Sequence, residues 1–185
     1  VRSRGLGDGY KRQILLSEEQ IHTRVRELGA EISRDYAGKE PLFVGVLKGC
    51  FIFMADLFRE VTIHGSVDFM AVSSYGNGTS TTGAVKINKD LSQDIENRDV
   101  IIVEDILDSG ITLSYLTKYL QNRKPSSICI ATLLDKPARR RADVQAKYVG
   151  FTVPDAFVVG YGLDYAEKYR NLPFIGVLKP EVYEK

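Results

Sequence analysis

Several features that would point to particular protein classes are rare or missing in this sequence. Only two cysteines, Cys50 and Cys129, occur among its 185 residues. Both have apolar neighbours, which favours reduced core thiols over a disulfide framework. The chain also has only two histidines and no CxxC or HExxH motif, so it does not predict a zinc site. These absences argue against a disulfide-stabilised scaffold and against a zinc protein.

Charge of one sign and long hydrophobic runs are also lacking. The formal net charge is +1 and the pI is about 7.9, so no charge excess points to nucleic acid or to a membrane surface. The longest apolar run, residues 50–55, is far shorter than a membrane span. No signal or transit peptide is evident. We therefore predict a cytoplasmic enzyme or binding protein.

Three common nucleotide-binding or hydrolase motifs are missing. The chain has no GxxxxGK[ST] sequence, no GxGxxG after its first strand and no GxSxG turn. A P-loop NTPase, a dinucleotide-binding fold and a hydrolase with a serine elbow are therefore disfavoured.

The most informative stretch that is present covers residues 100–113, VIIVEDILDSGITL. Its first four residues are β-branched without polar alternation, which is typical of a strand buried on both faces. The carboxylates Glu104, Asp105 and Asp108 follow, then small and hydroxylic residues. An apolar helical pattern begins at Leu113. The stretch thus predicts a strand, an acidic turn and a helix.

This arrangement suits a sugar phosphate. Ligands of open α/β sheets bind at the carboxyl ends of the strands, where Glu104 and Asp105 are expected. Adjacent carboxylates there suit a vicinal diol, directly or through Mg²⁺. The turn at residues 109–112 can aim N–H groups at a phosphate beside the positive end of the helix dipole. The simpler alternative is an acidic strand end with Asp108 or Ser109 capping the helix.

The order of the other elements predicts an α/β fold with a parallel core sheet. A helix is expected from Ser17, which forms a capping box with Gln20. Strands are expected at residues 42–47, 67–74 and 127–134, and a helix at residues 50–60. Residues 84–88 are interpreted as the return strand of a long hairpin. Shorter strands are expected at residues 148–153, 156–159 and 174–178.

Two segments are interpreted without regular structure. The polar run at residues 76–83, GNGTSTTG, is interpreted as part of a mobile lid. Residues 1–12 have no periodicity and are interpreted as a mobile start to the chain.

Other candidate residues have simpler alternatives. Lys48 with Gly49, and Lys136, follow strands directly and could face the same pocket, or the lysines could extend along apolar surface. The arginines at positions 139–141 are interpreted as a solvated turn. Phe157 could stack on a planar ring or belong to the core. Asp164 and Arg170 could form no more than a salt bridge.

The sequence resembles the type I phosphoribosyltransferases, and in particular the bacterial hypoxanthine-guanine enzymes, from about residue 16 to residue 183. The stretch VIIVEDILDSGIT looks like the phosphoribosyl-pyrophosphate signature of that family. Four further motifs occur in the expected order: GVLKG at residues 45–49, SSYG at 73–76, LLDKP at 133–137 and VPDAFVVGYGLDYAEKYRNLP at 153–173.

The resemblance implies a fold, a reaction and a cofactor. The fold is a twisted parallel core sheet flanked by helices, about residues 17–135. A small hood is formed by the N-terminal segment and about residues 136–185, so that residues 1–185 make a single domain. The reaction is purine salvage: hypoxanthine or guanine and 5-phosphoribosyl 1-pyrophosphate give IMP or GMP and pyrophosphate, with Mg²⁺. A homodimer or homotetramer is also implied.

The resemblance further implies roles for single residues. Asp108 would be the acid/base partner of purine N7, and the peptide bond before Gly49 can be cis in such enzymes. The lid would begin at Ser74 and Tyr75 and continue to about residue 89. Glu104 and Asp105 would hold the ribose hydroxyls and Mg²⁺, and the 5′-phosphate would be bound by Asp108, Ser109, Gly110, Ile111 and Thr112. The purine would be bound by Lys136, Phe157, Val158 and Asp164, and Asp164 would also hold a second Mg²⁺. Pyrophosphate would be bound by Lys48, Gly49 and Arg170.

Two alternative functions stay open at this point. The same fold could act on another base, such as xanthine, uracil or orotate, because no residue decides how the 2-position of the purine is recognised. The chain could also be a nucleotide-sensing regulator that binds RNA or DNA, although its near-neutral charge argues against this. A gel-shift experiment beside a phosphoribosyl transfer assay separates the regulator from the enzyme.

Overall fold

The computed structural model describes residues 13–74 and 85–184. Nine strands and four helices lie in this part of the chain. The strands are β1 (Gln13–Leu16), β2 (Leu42–Leu47), β3 (Ser66–Ser74), β4 (Val85–Lys89), β5 (Asp99–Leu107), β6 (Ser127–Asp135), β7 (Tyr148–Thr152), β8 (Val158–Val159) and β9 (Ile175–Val177). The helices are α1 (Glu18–Asp35), α2 (Phe51–Glu60), α3 (Ile111–Gln121) and α4 (Pro180–Tyr183).

Six strands form the core sheet in the order β4-β3-β2-β5-β6-β7. All neighbouring pairs are parallel except β3 and β4, which form an antiparallel hairpin. The strand order places β2 and β5 side by side at the centre of the sheet. Their carboxyl ends therefore open at the same edge, where ligands of such sheets bind.

Both faces of the core sheet are covered, and the β5 sequence explains why. Ile101 and Val103 pack in one cluster with apolar residues of α1 and α2, whereas Val100 and Ile102 pack in another with α3. Because successive strand residues point to opposite faces, an uninterrupted β-branched run serves both clusters. The predicted two-sided burial of this strand is confirmed.

The start and the buried face of the first helix, α1, are determined by residues within or next to it. Ser17 and Gln20 form the predicted capping box, with Ser17 Oγ accepting from the Gln20 N–H and Gln20 Oε1 accepting from the Ser17 N–H. Ile21, Val25, Leu28 and Ile32 are buried at the spacing of one helical face. The position of α1 against the sheet is therefore encoded within its own sequence.

A second, three-stranded sheet has the order β1-β9-β8, and both of its pairs are antiparallel. It joins the start of the described chain to its last third. The core sheet also takes in β7, so it extends beyond residue 135, where the core was expected to end. The division into core and hood as subdomains stays a prediction.

Three further expectations have definite outcomes. The cis peptide bond lies between Leu47 and Lys48, so the bond before Gly49 was the wrong one, by one residue. Strand β5 continues through Glu104 and Asp105 to Leu107, because β6 pairs beside it as far as Asp135. No helix in residues 13–74 or 85–184 is long and apolar enough to cross a bilayer. The predictions of a mobile start at residues 1–12 and of a lid at residues 75–84 concern residues outside the described part of the chain.

Candidate functional site

A cavity of about 310 Å³ lies where β2, β5 and the beginning of α3 meet. It is lined by residues from the core sheet and from the segment between β8 and β9. The predicted site residues among them are Gly49, Glu104, Asp105, Asp108, Ser109, Gly110, Thr112, Asp164 and Arg170. Lys48, Ser74, Ile111, Lys136, Phe157 and Val158 do not line this cavity.

The acidic pair, Glu104 and Asp105, lies beside Gly49, which has no side chain. A Cβ atom at Gly49 would lie 1.9 Å from Asp105 Oδ2, so only glycine fits there. Burial and the neighbouring Asp105 carboxylate raise the pKa of Glu104 well above its usual range. The Asp105 N–H donates to Glu104 Oε1 (3.2 Å), and the Ile106 N–H donates to Asp105 Oδ1 (2.7 Å). Two carboxyl groups held this closely favour a hydroxyl donor or a cation between them.

The turn after β5 forms an anion cradle. Gly110, with φ of +79°, is the N-cap of α3 and has no side-chain capping bond. The alternative in which Asp108 or Ser109 caps the helix is therefore wrong, although Ser109 Oγ accepts from the Ile111 N–H at 3.4 Å. Within the described residues, the backbone N–H groups of Ser109, Gly110 and Thr112 find no acceptor. Such N–H groups at a helix start are suited to a phosphate.

Asp108 lies at the beginning of that turn. Its Oδ1 is buried and has no hydrogen-bond partner among the described residues. Arg139 Nε lies 3.1 Å from the same oxygen as an ion pair, without the alignment of a hydrogen bond. The Arg139 guanidinium also lies 3.5 Å from Asp155 Oδ1. Asp108 thus retains a hydrogen-bonding atom at the wall of the cavity.

On the opposite wall, a small ionic cluster surrounds Arg170. The guanidinium donates to Gly162 O (2.7 Å) and lies 3.4 Å from Asp164 Oδ1. Glu167 Oε1 lies 3.3 Å from both Arg170 Nη2 and Lys48 Nζ. Hydrogen bonds from Arg170 and Lys48 lower the pKa of Glu167. The salt bridge considered for Asp164 and Arg170 is present, yet both residues line the cavity.

One nitrogen of the Arg170 guanidinium has no hydrogen bond in the described part of the chain. This nitrogen, Nε, is buried. Buried polar groups are nearly always paired, so a donor left open at a cavity wall points to an acceptor that binds there.

Lys136, Phe157 and Val158, which are expected at the purine, lie outside the cavity lining, and Lys136 contacts the backbone of Leu107 next to Asp108. The Lys136 N–H donates to Leu107 O (3.0 Å), and its buried Nζ donates to Ala156 O (2.9 Å). Phe157 is 38% exposed and stacks on Tyr183 with ring centroids 5.0 Å apart. Val158 is buried and pairs with Val177 of β9. Lys136 therefore does not extend along the surface, and Phe157 is not a core residue.

Metal-binding side chains are sparse. Residues 13–74 and 85–184 contain no group of three or more histidine, cysteine, aspartate or glutamate side chains that could hold a metal ion. Glu104, Asp105 and Asp164 nevertheless line one cavity. Mg²⁺ is usually held by one or two carboxylates together with substrate phosphates and waters, so this donor set fits it without a complete protein cage.

Three contributors to the site were missed from the sequence. Glu167 was passed over because its partner Lys48 lies far away along the chain. Arg139 and Arg140 were grouped with Arg141 as a solvated turn, which is wrong for Arg140. Its guanidinium hydrogen-bonds Asp108 O, Val144 O and the Asp135 carboxylate. Only the position of LLDKP directly before these arginines hinted that they lie near the site.

Residues 13–166 match the family of the phosphoribosyl transferase domain. Since this covers most of the chain, and the cavity lies in its acidic strand-turn-helix unit, the chain belongs to the phosphoribosyltransferase family.

Named relatives narrow the comparison. The chain is 60% identical over 172 residues to the hypoxanthine-guanine phosphoribosyltransferase of Bacillus subtilis (strain 168), covering 93% of this chain and 96% of the relative. Identity to the enzyme of that name from Staphylococcus aureus (strain Mu50 / ATCC 700699) is 58%, with the same coverage. The crystal structure of a hypoxanthine phosphoribosyltransferase from Staphylococcus aureus superposes with a TM-score of 0.93, at 56% identity and 96% coverage of both chains.

Proposed function

We propose that this protein is a purine-salvage transferase. It converts hypoxanthine or guanine and 5-phosphoribosyl 1-pyrophosphate into IMP or GMP and pyrophosphate. The observation that carries this proposal is the end of β5 together with the turn that follows it. The strand end supplies an acidic pair to the cavity, and the turn supplies open N–H groups and a buried Asp108 oxygen that has no hydrogen bond among the described residues. The high identity to enzymes of this name supports the choice of base.

The two ends of the phosphoribosyl group are assigned to the end of β5 and to that turn. Glu104 and Asp105 accept hydrogen bonds from the ribose hydroxyls. The 5′-phosphate receives the N–H groups of residues 109–112 and the Thr112 hydroxyl at the positive end of α3. Diol and phosphate are thereby bound by neighbouring residues of one rigid unit, which favours a defined orientation of C1′.

The purine is assigned to Lys136, Phe157, Val158 and Asp164. Lys136 Nζ has three donors and uses one on Ala156 O, so two remain for the 6-oxygen of the base. The half-exposed Phe157 ring offers a face for stacking, the Val158 backbone reads the edge of the base, and Asp164 contributes from the cavity wall opposite Asp108. A lysine donor favours 6-oxopurines over adenine, whose 6-amino group is itself a donor.

Pyrophosphate is assigned to Lys48, Gly49 and Arg170. Lys48 and Arg170 converge on one carboxylate oxygen of Glu167, so both cations already lie around a single anionic atom. Mg²⁺ would be held by Glu104 and Asp105, with a second ion at Asp164, where it would supply positive charge against the phosphate oxygens. These cationic groups favour departure of a highly charged leaving group.

Asp108 is assigned the proton transfer. The bond from C1′ to the pyrophosphate oxygen breaks as a bond forms from C1′ to the purine nitrogen, and the purine loses a proton. A carboxylate beside N7 receives that proton; such assistance is typically worth about 10²- to 10⁴-fold in rate. The lid from Ser74 through Tyr75 to about residue 89 would exclude water, and it stays a prediction because residues 75–84 lie outside the described part.

The deciding experiment measures pyrophosphate release with Mg²⁺, phosphoribosyl pyrophosphate and a panel of free bases. Release is expected to be fast with hypoxanthine and guanine and far slower with adenine, uracil or orotate. Release with xanthine alone would show that the base is wrong and the reaction class right. No release with any base would contradict the proposal. The homodimer or homotetramer and the cytoplasmic location remain predictions; light scattering of the purified protein tests the first.

A further inference from the structure

Arg140 differs from the arginines on either side of it. Only 18% of its side chain is exposed, whereas Arg139 and Arg141 are exposed residues. Its guanidinium reaches three separate acceptors: Asp108 O at 3.1 Å, Val144 O at 2.8 Å, and a carboxylate oxygen of Asp135. Each of the three guanidinium nitrogens serves one of these separate acceptors, whereas the single Nζ of a lysine would have to reach all three.

The residues directly after Arg140 bind the next carbonyl of the turn after β5, that of Ser109. Ser109 O accepts from the N–H groups of Arg141 (2.8 Å) and Ala142 (3.2 Å). Both carbonyls between Asp108 and Gly110 therefore point toward residues 140–142. The Arg140 side chain also packs behind the turn, since a Cβ atom at Gly110 would lie 3.1 Å from Arg140 Cδ.

The direction of these carbonyls fixes the direction of the N–H groups. In a trans peptide the C=O and the N–H point to opposite sides of the same plane. When Arg140 binds the carbonyl of Asp108, the N–H of Ser109 must face the opposite way, toward the cavity. The bonds to Ser109 O act likewise on the N–H of Gly110. These are N–H groups for which the described residues offer no acceptor.

We propose that Arg140, held by Asp135, is a positioning residue that orients the peptide planes of the turn at residues 108–110 so that their N–H groups bind a phosphate. This inference rests on the proposed function, in which that turn binds the 5′-phosphate. Arg140 touches no substrate; it acts through the backbone of Asp108. The effect of its loss should therefore fall on the phosphate group of a ligand and not on the base or the sugar.

The test separates these contributions by comparing IMP with inosine, which lacks the phosphate. The dissociation constants of both are measured by calorimetry, and their ratio reports the phosphate contribution. The informative variant is Arg140→Met combined with Asp135→Asn, which removes the guanidinium, leaves no unpaired buried charge and keeps the net charge of the chain. The ratio is expected to fall about tenfold, the scale of one lost hydrogen bond to a buried group.

Two controls complete the design. Arg141→Met leaves the backbone N–H of residue 141 in place and should keep the wild-type ratio. Arg140→Lys retains the charge without the three-way geometry and should resemble the double variant, which separates orientation from simple charge attraction.

Three outcomes would overturn the inference. An unchanged ratio in the folded double variant shows that the turn orients itself. An equal loss of affinity for inosine and IMP, with a lowered melting temperature, shows a general structural role. If the wild-type protein itself does not prefer IMP to inosine, the turn is no phosphate site, and that part of the proposed function fails with the inference.

Discussion

At the scale of single residues, two buried atoms at the cavity wall lack a hydrogen bond to any described residue: Asp108 Oδ1 and Arg170 Nε. Leaving a buried polar atom unpaired costs about 1–3 kcal/mol. A ligand that provides the missing partners recovers this energy on binding. Substitutions at these positions should therefore change ligand chemistry more than folding stability.

Asp108→Asn tests this most directly. An amide keeps the size of the side chain but cannot accept a proton from the purine, so kcat should fall by about 10²- to 10⁴-fold. The KM for phosphoribosyl pyrophosphate should stay within about threefold of wild type, because the N–H groups of the turn are retained. Steady-state kinetics measure both values, with the exposed Asp143→Asn as the control. Wild-type kcat in Asp108→Asn would remove Asp108 from the chemistry.

Lys136→Ala should alter the choice of base. Loss of the ammonium removes the donors assigned to the 6-oxygen, so kcat/KM for hypoxanthine should fall by about 10²-fold or more. The residual activity with adenine should change much less. Since Lys136 is buried, Lys136→Met serves beside it to keep the volume filled. Equal losses for hypoxanthine and adenine in both variants would contradict the recognition role.

Glu167→Gln addresses the cations assigned to pyrophosphate. Glu167 neutralises Lys48 and Arg170 in the free protein, so it competes with an incoming phosphate oxygen. Removing its charge should lower the KM for phosphoribosyl pyrophosphate by about two- to fivefold, a small effect because the carboxylate is exposed. Glu19→Gln, on the exposed side of α1, makes the same charge change elsewhere. A raised KM would show that Glu167 positions the cations instead of competing with the substrate.

At the scale of elements, one ionic contact ties the end of the β3–β4 hairpin to the helix that begins at the phosphate turn. Asp90 follows β4, and its Oδ2 accepts from the hydroxyl of Tyr119 in α3 and from Arg123 just beyond it, both at 2.5 Å. Partial burial raises the pKa of Asp90, but the hydrogen bonds from Arg123 and Tyr119 outweigh this and lower it below its usual value. The hairpin is thereby fixed to α3 at its base.

The depressed pKa predicts how this contact depends on pH. A carboxyl with a lowered folded-state pKa stabilises the fold above its unfolded pKa of about 3.9 and loses that effect as pH falls through the folded value. Asp90→Asn should therefore lower the free energy of unfolding by about 1 kcal/mol at pH 7, discounted for its partial exposure. The difference should shrink as the pH falls below the unfolded pKa and disappear once the carboxyl is protonated in the folded protein as well. Urea denaturation across this range measures it, and a difference independent of pH would exclude the ionised carboxyl as its cause.

Elements also show what a sequence can and cannot predict. The Ser17–Gln20 capping box and the β-branched run of β5 were predictable because their causes are local: one helical turn and one strand. The extension of β5 through Asp105 was not, because it depends on pairing with β6, a tertiary contact. Burial of Arg140 likewise requires Asp135 and Asp108 O to converge on it, and nothing in the string of three arginines distinguishes the middle one.

At the scale of the whole molecule, the cavity lies at a junction between the core sheet and the segment that includes the small sheet. A Cβ atom at Gly162 would lie 2.3 Å from Gly49 O, so the two backbones are in direct contact. Tyr161 donates a hydrogen bond to Asp56 of α2. The turn after β5 belongs to one side of this junction, and Asp164 and Arg170 belong to the other. A ligand that contacts both sides must therefore stabilise the junction itself.

This geometry predicts different protection by two ligands. IMP at about 100 times its dissociation constant should raise the free energy of unfolding by about 2.7 kcal/mol and the melting temperature by about 5–10 °C. It should slow amide hydrogen exchange both at residues 108–112 and at residues 158–178, since the purine reaches the second side. Ribose 5-phosphate at equal saturation should protect the turn but not residues 158–178, because it carries no base. Equal protection of residues 158–178 by both ligands would mean that closure of the junction needs only the phosphate turn to be filled, and the purine would then have no part in holding the two sides together.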